Sequence, residues 1–162
     1  KDKNPDPKEI VKKQISLEIL LNMIIGKSSK LYKELYDEGL LFASPNLDYE
    51  YSNGYAHVLI TGQSVEPKKV YEKVKKEISE VKENGICEDE FNRIKKRIYG
   101  DYIKEYNDVS DIARMFLADY FKGINSFEFL EEIMSINIEY VTQVLNNVFE
   151  EDKMVISVIK KQ

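Results

Sequence analysis

Few residues in this sequence could carry catalytic or metal chemistry. His57 is the only histidine and Cys87 is the only cysteine, so there is no pair of imidazoles and no set of thiolates to hold zinc. His57 lies between Ala56 and Val58 in an apolar run, and histidine catalysis needs partner groups placed around the imidazole. We therefore assign His57 no role and predict neither a catalytic site nor a metal site within this chain.

Cys87 precedes the acidic run Glu88, Asp89 and Glu90 and is placed to begin a helix. A helix N-terminus favours the thiolate, which would suit a nucleophile. The three carboxylates oppose that effect, and they are the side chains that a helix dipole favours in a first turn. We interpret this segment as an ordinary helix start. A hydrolase that uses one of these carboxylates is the alternative, and it would need a substrate pocket.

Two segments contain residue types that bind anions in other proteins. The segment Gly26-Lys27-Ser28-Ser29 precedes a predicted helix, but it lacks the spacing of a phosphate-binding loop, so we predict that Ser28 or Ser29 caps that helix. The basic cluster Arg93, Lys95, Lys96 and Arg97 alternates with apolar residues. On a helix this pattern predicts a solvated face rather than an anion site.

Length and charge narrow the class of protein. The chain has 162 residues and a net charge of −5, so we predict one domain over 1–162 and no nucleic-acid binding. No apolar run approaches the ~20 residues of a membrane-spanning helix. A single cysteine is typical of a reducing compartment, and we expect a cytoplasmic protein. Because the first residue is not methionine, we also expect the chain to be a fragment of a longer protein.

Capping residues and apolar spacing predict the elements of the first half of the chain. A long helix is expected from Asp6-Pro7 to a stop at Gly26, with Glu9 in the position of a capping box. A shorter helix follows from Lys30 to Glu38. The turn signal Ser52-Asn53-Gly54 lies between aromatic and β-branched runs and predicts an antiparallel hairpin of two or three strands.

The second half of the chain is predicted to be mainly helical. Helices are expected at Pro67 to Gly85, at Glu88 to Glu105, at Ser110 to Gly123, and in two short segments capped by Ser126 and Asn137. The β-branched run Lys153 to Ile159 predicts a final strand in the centre of the sheet. The predicted class is α+β, with long helices packed on one face of a small, mainly antiparallel sheet.

The segment Gly26 to Ala43, GKSSKLYKELYDEGLLFA, resembles a hallmark of the pitrilysin/insulinase family of zinc metallopeptidases. The non-catalytic domain of that family carries a small-residue turn, then S-R-L-F-x-x-L-R-E-x-G-L-A-Y and a twisted hairpin. The segments that follow are similar in order: a strand ending in Thr-Gly, a helix that begins with proline, a helix of the type E-x-E-F-x-R-x-K-K-x-x-x-G, a helix with small residues and a last helix-strand pair. The resemblance extends from about Glu9 to Ile159 and is to the bacterial branch.

The resemblance implies a role without catalysis. Family members carry the zinc site H-x-x-E-H in an N-terminal domain, and this sequence has no such motif, so the chain would be the C-terminal inactive domain that closes a peptide-degrading chamber. The implied cofactor is zinc in the N-terminal domain of the parent protein. The implied partners are a peptide substrate and the catalytic domain of the same chain or of a homologous subunit.

Two positions of the hallmark suggest contact with substrate. Some family members hold the substrate backbone with an arginine and a tyrosine, and these positions are Tyr36 and Phe42 here. This sequence departs from the family at both positions, so a polar clamp is not retained, although Tyr36 offers a hydroxyl. The resemblance therefore implies Tyr36 and Phe42 as the substrate-binding candidates.

The resemblance also implies an open sheet edge. The family's domain usually begins with a strand before the first long helix, and this sequence starts too late to supply it. An exposed edge is a template for pairing, so we expect a homodimer through it. An alternative function also remains: a degenerate non-enzymatic subunit, or a scaffold that binds peptides by strand addition and pairs with a separate zinc-bearing partner.

Overall fold

Seven helices and one β-hairpin make up the part of the chain that the computed structural model describes, residues 6–52, 55–121 and 123–160. The predicted α+β class is confirmed. In chain order the elements are α1 (Pro7–Ile25), α2 (Lys30–Asp37), β1 (Asn46–Ser52), β2 (Tyr55–Thr61), α3 (Pro67–Asn84), α4 (Glu88–Glu105), α5 (Val109–Tyr120), α6 (Phe129–Ser135) and α7 (Ile138–Val148), with 3-10 turns at Ser126–Glu128 and Glu151–Lys153.

Helix α1 lies at the centre of the fold. Eleven of its 19 residues are buried, which is more than the single stripe that a surface helix buries. It packs against α2, α3, α4, α6 and α7, and β1 also contacts it. The hydrophobic core is therefore built around one helix that is covered from several sides.

The start of α1 follows from its capping residues. Asp6 accepts a hydrogen bond from the Lys8 amide at 3.0 Å, and Pro7 occupies the first helical position. Glu9 does not close the expected capping box on Asp6. It accepts a hydrogen bond from the Tyr140 hydroxyl at 3.1 Å instead, because α7 packs beside this turn.

The predicted hairpin is confirmed as two antiparallel strands. Asn46 pairs with Thr61, and the register continues to Ser52 opposite Tyr55. The turn residues 53–54 lie outside the described part of the chain. Leu47, on β1, is half-buried against the core, so one face of the hairpin covers α1.

The final strand predicted over Lys153 to Ile159 is wrong. Glu151–Lys153 forms a 3-10 turn, and residues 154–160 pair with no strand among the described residues. The Tyr71 hydroxyl donates to the Met154 carbonyl at 2.9 Å, so this segment begins against α3. Val155 and Ile159 are 88% and 98% exposed. β propensity alone does not make a strand, because the ladder needs a partner strand to bond with.

Two segments begin at residues other than those predicted. The Asp108 carboxylate caps α5 by accepting from the amides of Ser110 and Asp111, so this helix begins before Ser110. Asn125 rather than Ser126 caps the next segment, which is a 3-10 turn that leads into α6. Asn137 caps α7 as predicted.

Helix α5 is attached at one side only. Its main neighbour is the adjacent 3-10 turn, where buried Asp119 accepts a hydrogen bond from the Ser126 hydroxyl at 2.7 Å. Phe116, Tyr120 and Phe121 remain exposed. Among the described residues, no helix is both long enough and apolar enough to cross a membrane.

Gly26→Ala should destabilise the fold, because an added Cβ would lie 2.5 Å from the Asn22 carbonyl oxygen. We expect a loss of about 1–3 kcal/mol in the free energy of unfolding. Gly100, inside α4, has open space at the same position, so Gly100→Ala should be neutral or stabilise by up to about 1 kcal/mol. Urea denaturation measures both, and equal stabilities of the two variants would contradict the close approach at Gly26.

Candidate functional site

Tyr36 and Phe42 both lie on the surface near the end of α2. Ser29 caps this helix by accepting from the Tyr32 amide at 3.0 Å, as the sequence predicts. Leu35 of the same helix is fully buried, which fixes the face that α2 turns to the core. Tyr36 and Phe42 are 54% and 65% exposed, respectively, so both aromatic rings are available to a ligand.

The turn between these two aromatic residues is held by backbone geometry and burial. Gly39 adopts φ +68°, a left-handed conformation that glycine tolerates best. Leu40 and Leu41 are buried, and Leu41 forms a β-bridge with Ser64. Phe42 therefore follows an anchored pair of leucines rather than a free loop.

An ion-pair network fastens α2 to α3. The Lys73 ammonium donates to Glu38 at 2.7 Å and also to Glu34. These hydrogen bonds raise the pKa of Lys73, and the hydrogen bond from Lys73 lowers the pKa of Glu38. The network holds the turn between Tyr36 and Phe42 against α3.

The residues with catalytic potential lie on β2 and at the start of α4. His57 is exposed on β2, with its ring stacked on Tyr55 at 5.8 Å between centroids. Cys87 is exposed and precedes α4, and Glu88, Asp89 and Glu90 form the first turn of that helix. No group of histidine, cysteine, aspartate or glutamate in the described ranges could hold a metal ion. The donor set in these ranges does not fit zinc.

Part of the basic cluster on α4 has structural partners. Arg93 donates to the Ser28 hydroxyl at 3.2 Å. The Lys95 ammonium donates to the carbonyls of Met134 and Ile136 at 2.9 and 2.6 Å, which satisfies carbonyl groups at the end of α6. Burial lowers the pKa of Lys95. These contacts join α4 to neighbouring elements and do not gather the cations into one anion site.

A polar cleft of about 520 Å³ lies beside β1. Residues 47–50 of β1 line this cleft, together with Ser44 and Pro45, which precede the strand. Helices α1 and α4, together with Gly26 and Lys27 after α1, form the rest of the wall. The polar lining residues from these helices are Gln14, Glu18, Asn22, Arg97 and Asp101.

Glu18 is the unusual group in this cleft. No described side chain forms a hydrogen bond or a close ion pair with its carboxylate. Burial raises the pKa of Glu18 from 4.5 to about 7, Arg97 opposes the shift, and the carboxylates of Asp101 and Glu105 add to it. A carboxyl group with such a pKa exchanges its proton near neutral pH and is a candidate for ligand contact.

The sequence prediction did not find this cleft. Tyr36 and Phe42 do not line it, so the resemblance to a known family did not point to it. A signal was present, because Gln14, Glu18 and Asn22 recur every four residues on a helix that is otherwise largely apolar. Such a polar stripe indicates the side of a central helix that neighbouring elements do not fully cover.

Comparisons with known proteins find a matching family model and a similar protein. Residues 7–98 match the sequence model of the family described as the peptidase M16 inactive domain. The "uncharacterized zinc protease YmfH" of Bacillus subtilis is 26% identical over 158 residues, covering 96% of this chain and 37% of that protein. The chain thus spans little more than a third of that relative's length.

Solved structures share the fold. A protein from Alicyclobacillus acidocaldarius, described as an M16-like peptidase, superposes with a TM-score of 0.86 at 22% identity, over 94% of this chain and 37% of that one. A protein from Bordetella pertussis Tohama I, described as a zinc protease, gives a TM-score of 0.67 at 12% identity, over 87% and 81% of the two chains. At sequence identities of 22% and 12%, the similarity to these two structures shows a shared fold.

Glu18 should reduce the stability of the fold progressively as the pH rises from 4.5 to about 7, because the unfolded state loses this proton near pH 4.5 and the folded state loses it near pH 7. The folded state binds this proton more tightly than the unfolded state, so ionisation of Glu18 costs folding free energy above that range. Glu18→Gln should therefore raise the free energy of unfolding at pH 8 by about 1–3 kcal/mol and have little effect at pH 4. Urea denaturation at both pH values measures this. With Glu72→Gln, an exposed carboxylate on α3, as control, a pH-independent effect of Glu18→Gln would contradict the assignment.

Proposed function

Because the chain belongs to the peptidase M16 inactive-domain family, we propose that it is a non-catalytic domain of a zinc-dependent peptidase and forms part of the chamber that holds the peptide. The observation that carries this proposal is the family match over residues 7–98. The hallmark segment Gly26 to Ala43, which resembles the pitrilysin/insulinase family, lies inside that match. The α+β fold and its likeness to solved structures support the same proposal.

In this proposal the chemistry of peptide hydrolysis is supplied by another domain. A zinc ion bound there would provide an activated water as the nucleophile. The described residues of this chain contribute surface and orientation, since their donor set does not fit a metal ion. In the parent protein, one domain would thus cleave the peptide and this domain would position it.

Tyr36 and Phe42 are the residues proposed to contact the peptide. Both are exposed aromatic side chains, and aromatic rings bury a large apolar area on contact at low entropic cost. The Tyr36 hydroxyl can donate a hydrogen bond to a peptide carbonyl, whereas Phe42 offers only apolar area. The anchored turn between them limits the loss of conformational freedom on binding.

The sheet of the described residues contains only β1 and β2, and this small sheet favours a second function. A degenerate subunit or peptide-binding scaffold would use the same surfaces but would pair with a separate chain that carries the zinc. Both proposals give this chain contact with a peptide, and they differ only in where the zinc site lies. The zinc content of the parent protein distinguishes them.

The full-length protein that contains this chain should bind zinc and cleave peptides, whereas residues 1–162 alone should do neither. Metal analysis after gel filtration and a fluorogenic peptide assay measure both properties. A full-length protein that lacks zinc would favour the scaffold function. Stoichiometric zinc binding by residues 1–162 alone would overturn both proposals.

Tyr36→Ala and Phe42→Ala should each lower kcat/KM of the full-length protein for peptides by about three- to tenfold, as expected for loss of an aromatic contact. Tyr120→Ala and Phe127→Ala are matched controls, because these aromatic residues are 65% and 61% exposed but lie outside the hallmark. The controls should leave kcat/KM unchanged. Equal effects in all four variants would indicate a general loss of stability and would contradict the proposed contacts.

A further inference from the structure

Helix α5 turns its apolar stripe to the solvent. Apolar residues that recur every three or four positions lie on one face of a helix, and in a surface helix this face normally packs on the core. In α5 the residues of this stripe are all exposed: Val109, Ala113, Phe116, Leu117 and Tyr120. The covered side of the helix carries Ile112, Met115 and Asp119 instead. Helix α5 thus lacks a cover on the side where its apolar residues lie.

A continuous row of aromatic rings extends this stripe beyond α5. Phe116 lies 6.1 Å from Tyr120 and 6.3 Å from Phe127, measured between ring centroids. Tyr120 in turn lies 5.9 Å from Phe121, and Phe127 lies 6.3 Å from Tyr106. Aromatic rings in contact have centroids at such distances. The exposed rings therefore form one patch and are not scattered single residues.

The outer face of α5 has the area of a protein interface. It consists of the stripe and the two adjoining aromatic residues: Val109, Ala113, Phe116, Leu117, Tyr120, Phe121 and Phe127. From their exposed fractions, these residues present about 700 Å², at about 200 Å² for a fully exposed aromatic side chain. The largest apolar patch of a monomeric protein is typically about 300–600 Å², and a stable dimer buries about 800 Å² per partner. The area is therefore close to what self-association requires.

The charges of α5 do not oppose contact between two copies of this face. Asp111 and Arg114 lie outside the apolar stripe and form an ion pair with each other. Asp108 caps the helix by accepting from backbone amides, and buried Asp119 accepts from a neighbouring hydroxyl. None of the seven residues of the outer face is charged. Two outer faces can therefore meet without bringing like charges together in the apolar contact, although the chain carries a net charge of −5.

We propose that the outer face of α5 binds the same face of a second copy of this chain, with the two α5 helices antiparallel across a twofold axis. With the axis between Ala113 and Phe116, Ala113 of one copy lies opposite Phe116 of the other, and Val109 lies opposite Tyr120. Small side chains then face large ones, which fills the contact without strain. A parallel pair would instead set Phe116 against Phe116 and Tyr120 against Tyr120. This interface lies on a helix and differs from the sheet-edge dimer that the resemblance implies.

Sedimentation velocity of the full-length protein over a range of concentrations tests the proposal. The wild type should show a monomer–dimer equilibrium. Val109→Glu and Tyr120→Lys should each weaken the dimer by at least about thirtyfold, because each places an unpaired charge in the apolar contact of both copies. Val65→Glu is the matched control, since Val65 is 63% exposed and lies before α3, and it should leave the equilibrium unchanged. Circular dichroism checks that each variant is folded.

Mixing the two charged variants tests the antiparallel arrangement. A heterodimer of the Val109→Glu and Tyr120→Lys chains brings the introduced carboxylate opposite the introduced ammonium group, and its other contact keeps the original Val109 and Tyr120. An equimolar mixture should therefore form dimers at a concentration at which each variant alone is a monomer. Mixing does not repair a misfolded chain, so recovery of the dimer reports on the interface. A single chain with both substitutions should also dimerise.

Four results would overturn the proposal. The first is a wild type that stays monomeric at every concentration, which is also expected if another domain of the parent protein covers the outer face. The second is a dimer that both charged variants leave intact, because the contact would then lie elsewhere. The third is a mixture that stays monomeric. The fourth is co-sedimentation with phosphatidylcholine vesicles that Tyr120→Lys abolishes, which would assign the outer face to a lipid surface.

Self-association and peptide cleavage are measured separately. Tyr36 and Phe42 lie outside the outer face of α5, so Tyr120→Ala should lower the affinity of the dimer while kcat/KM stays unchanged. Either proposal can therefore fail without the other.

Discussion

Most of the structure depends on the burial of α1. A helix surrounded by other elements has to be apolar around most of its circumference, and α1 is, from Ile10 to Ile25. Each aliphatic side chain fully removed from water stabilises the fold by about 1.5–3 kcal/mol, so this helix organises the elements that cover it. Helices α2, α3, α4, α6 and α7 and strand β1 meet through it.

The same constraint explains where the polar cleft lies. Gln14, Glu18 and Asn22 occupy the one stretch of α1 where the cover between α4 and β1 is incomplete. Because the cover is incomplete and not absent, Glu18 is desolvated, and its pKa rises to about 7 although Arg97 opposes the shift. The packing of the core and the chemistry of the cleft are thus two results of one arrangement. The aromatic pair Tyr36 and Phe42 depends on α1 less directly, through the anchored turn after α2.

The sequence predicted those features that are decided locally. Apolar spacing and caps such as Asp6, Ser29 and Asn137 gave the helices, because a helix end is determined by a few neighbouring residues. The last segment was predicted as a strand because the run after Lys153 has β propensity, but pairing depends on distant segments that propensity does not describe. The sequence did not predict the cleft, for a similar reason. Glu18 looks like an ordinary solvent-facing residue until α4 and β1 are placed around it.

The one-sided attachment of α5 has a consequence for the order in which the fold opens. Local unfolding needs little free energy where few apolar contacts break, and α5 is held chiefly through Asp119 and the neighbouring 3-10 turn. Its backbone amides should exchange with deuterium through openings that leave the core intact. Those of α1 should exchange only when the whole domain unfolds. The exchange rates along the chain would therefore rank the helices by their distance from the centre of the fold.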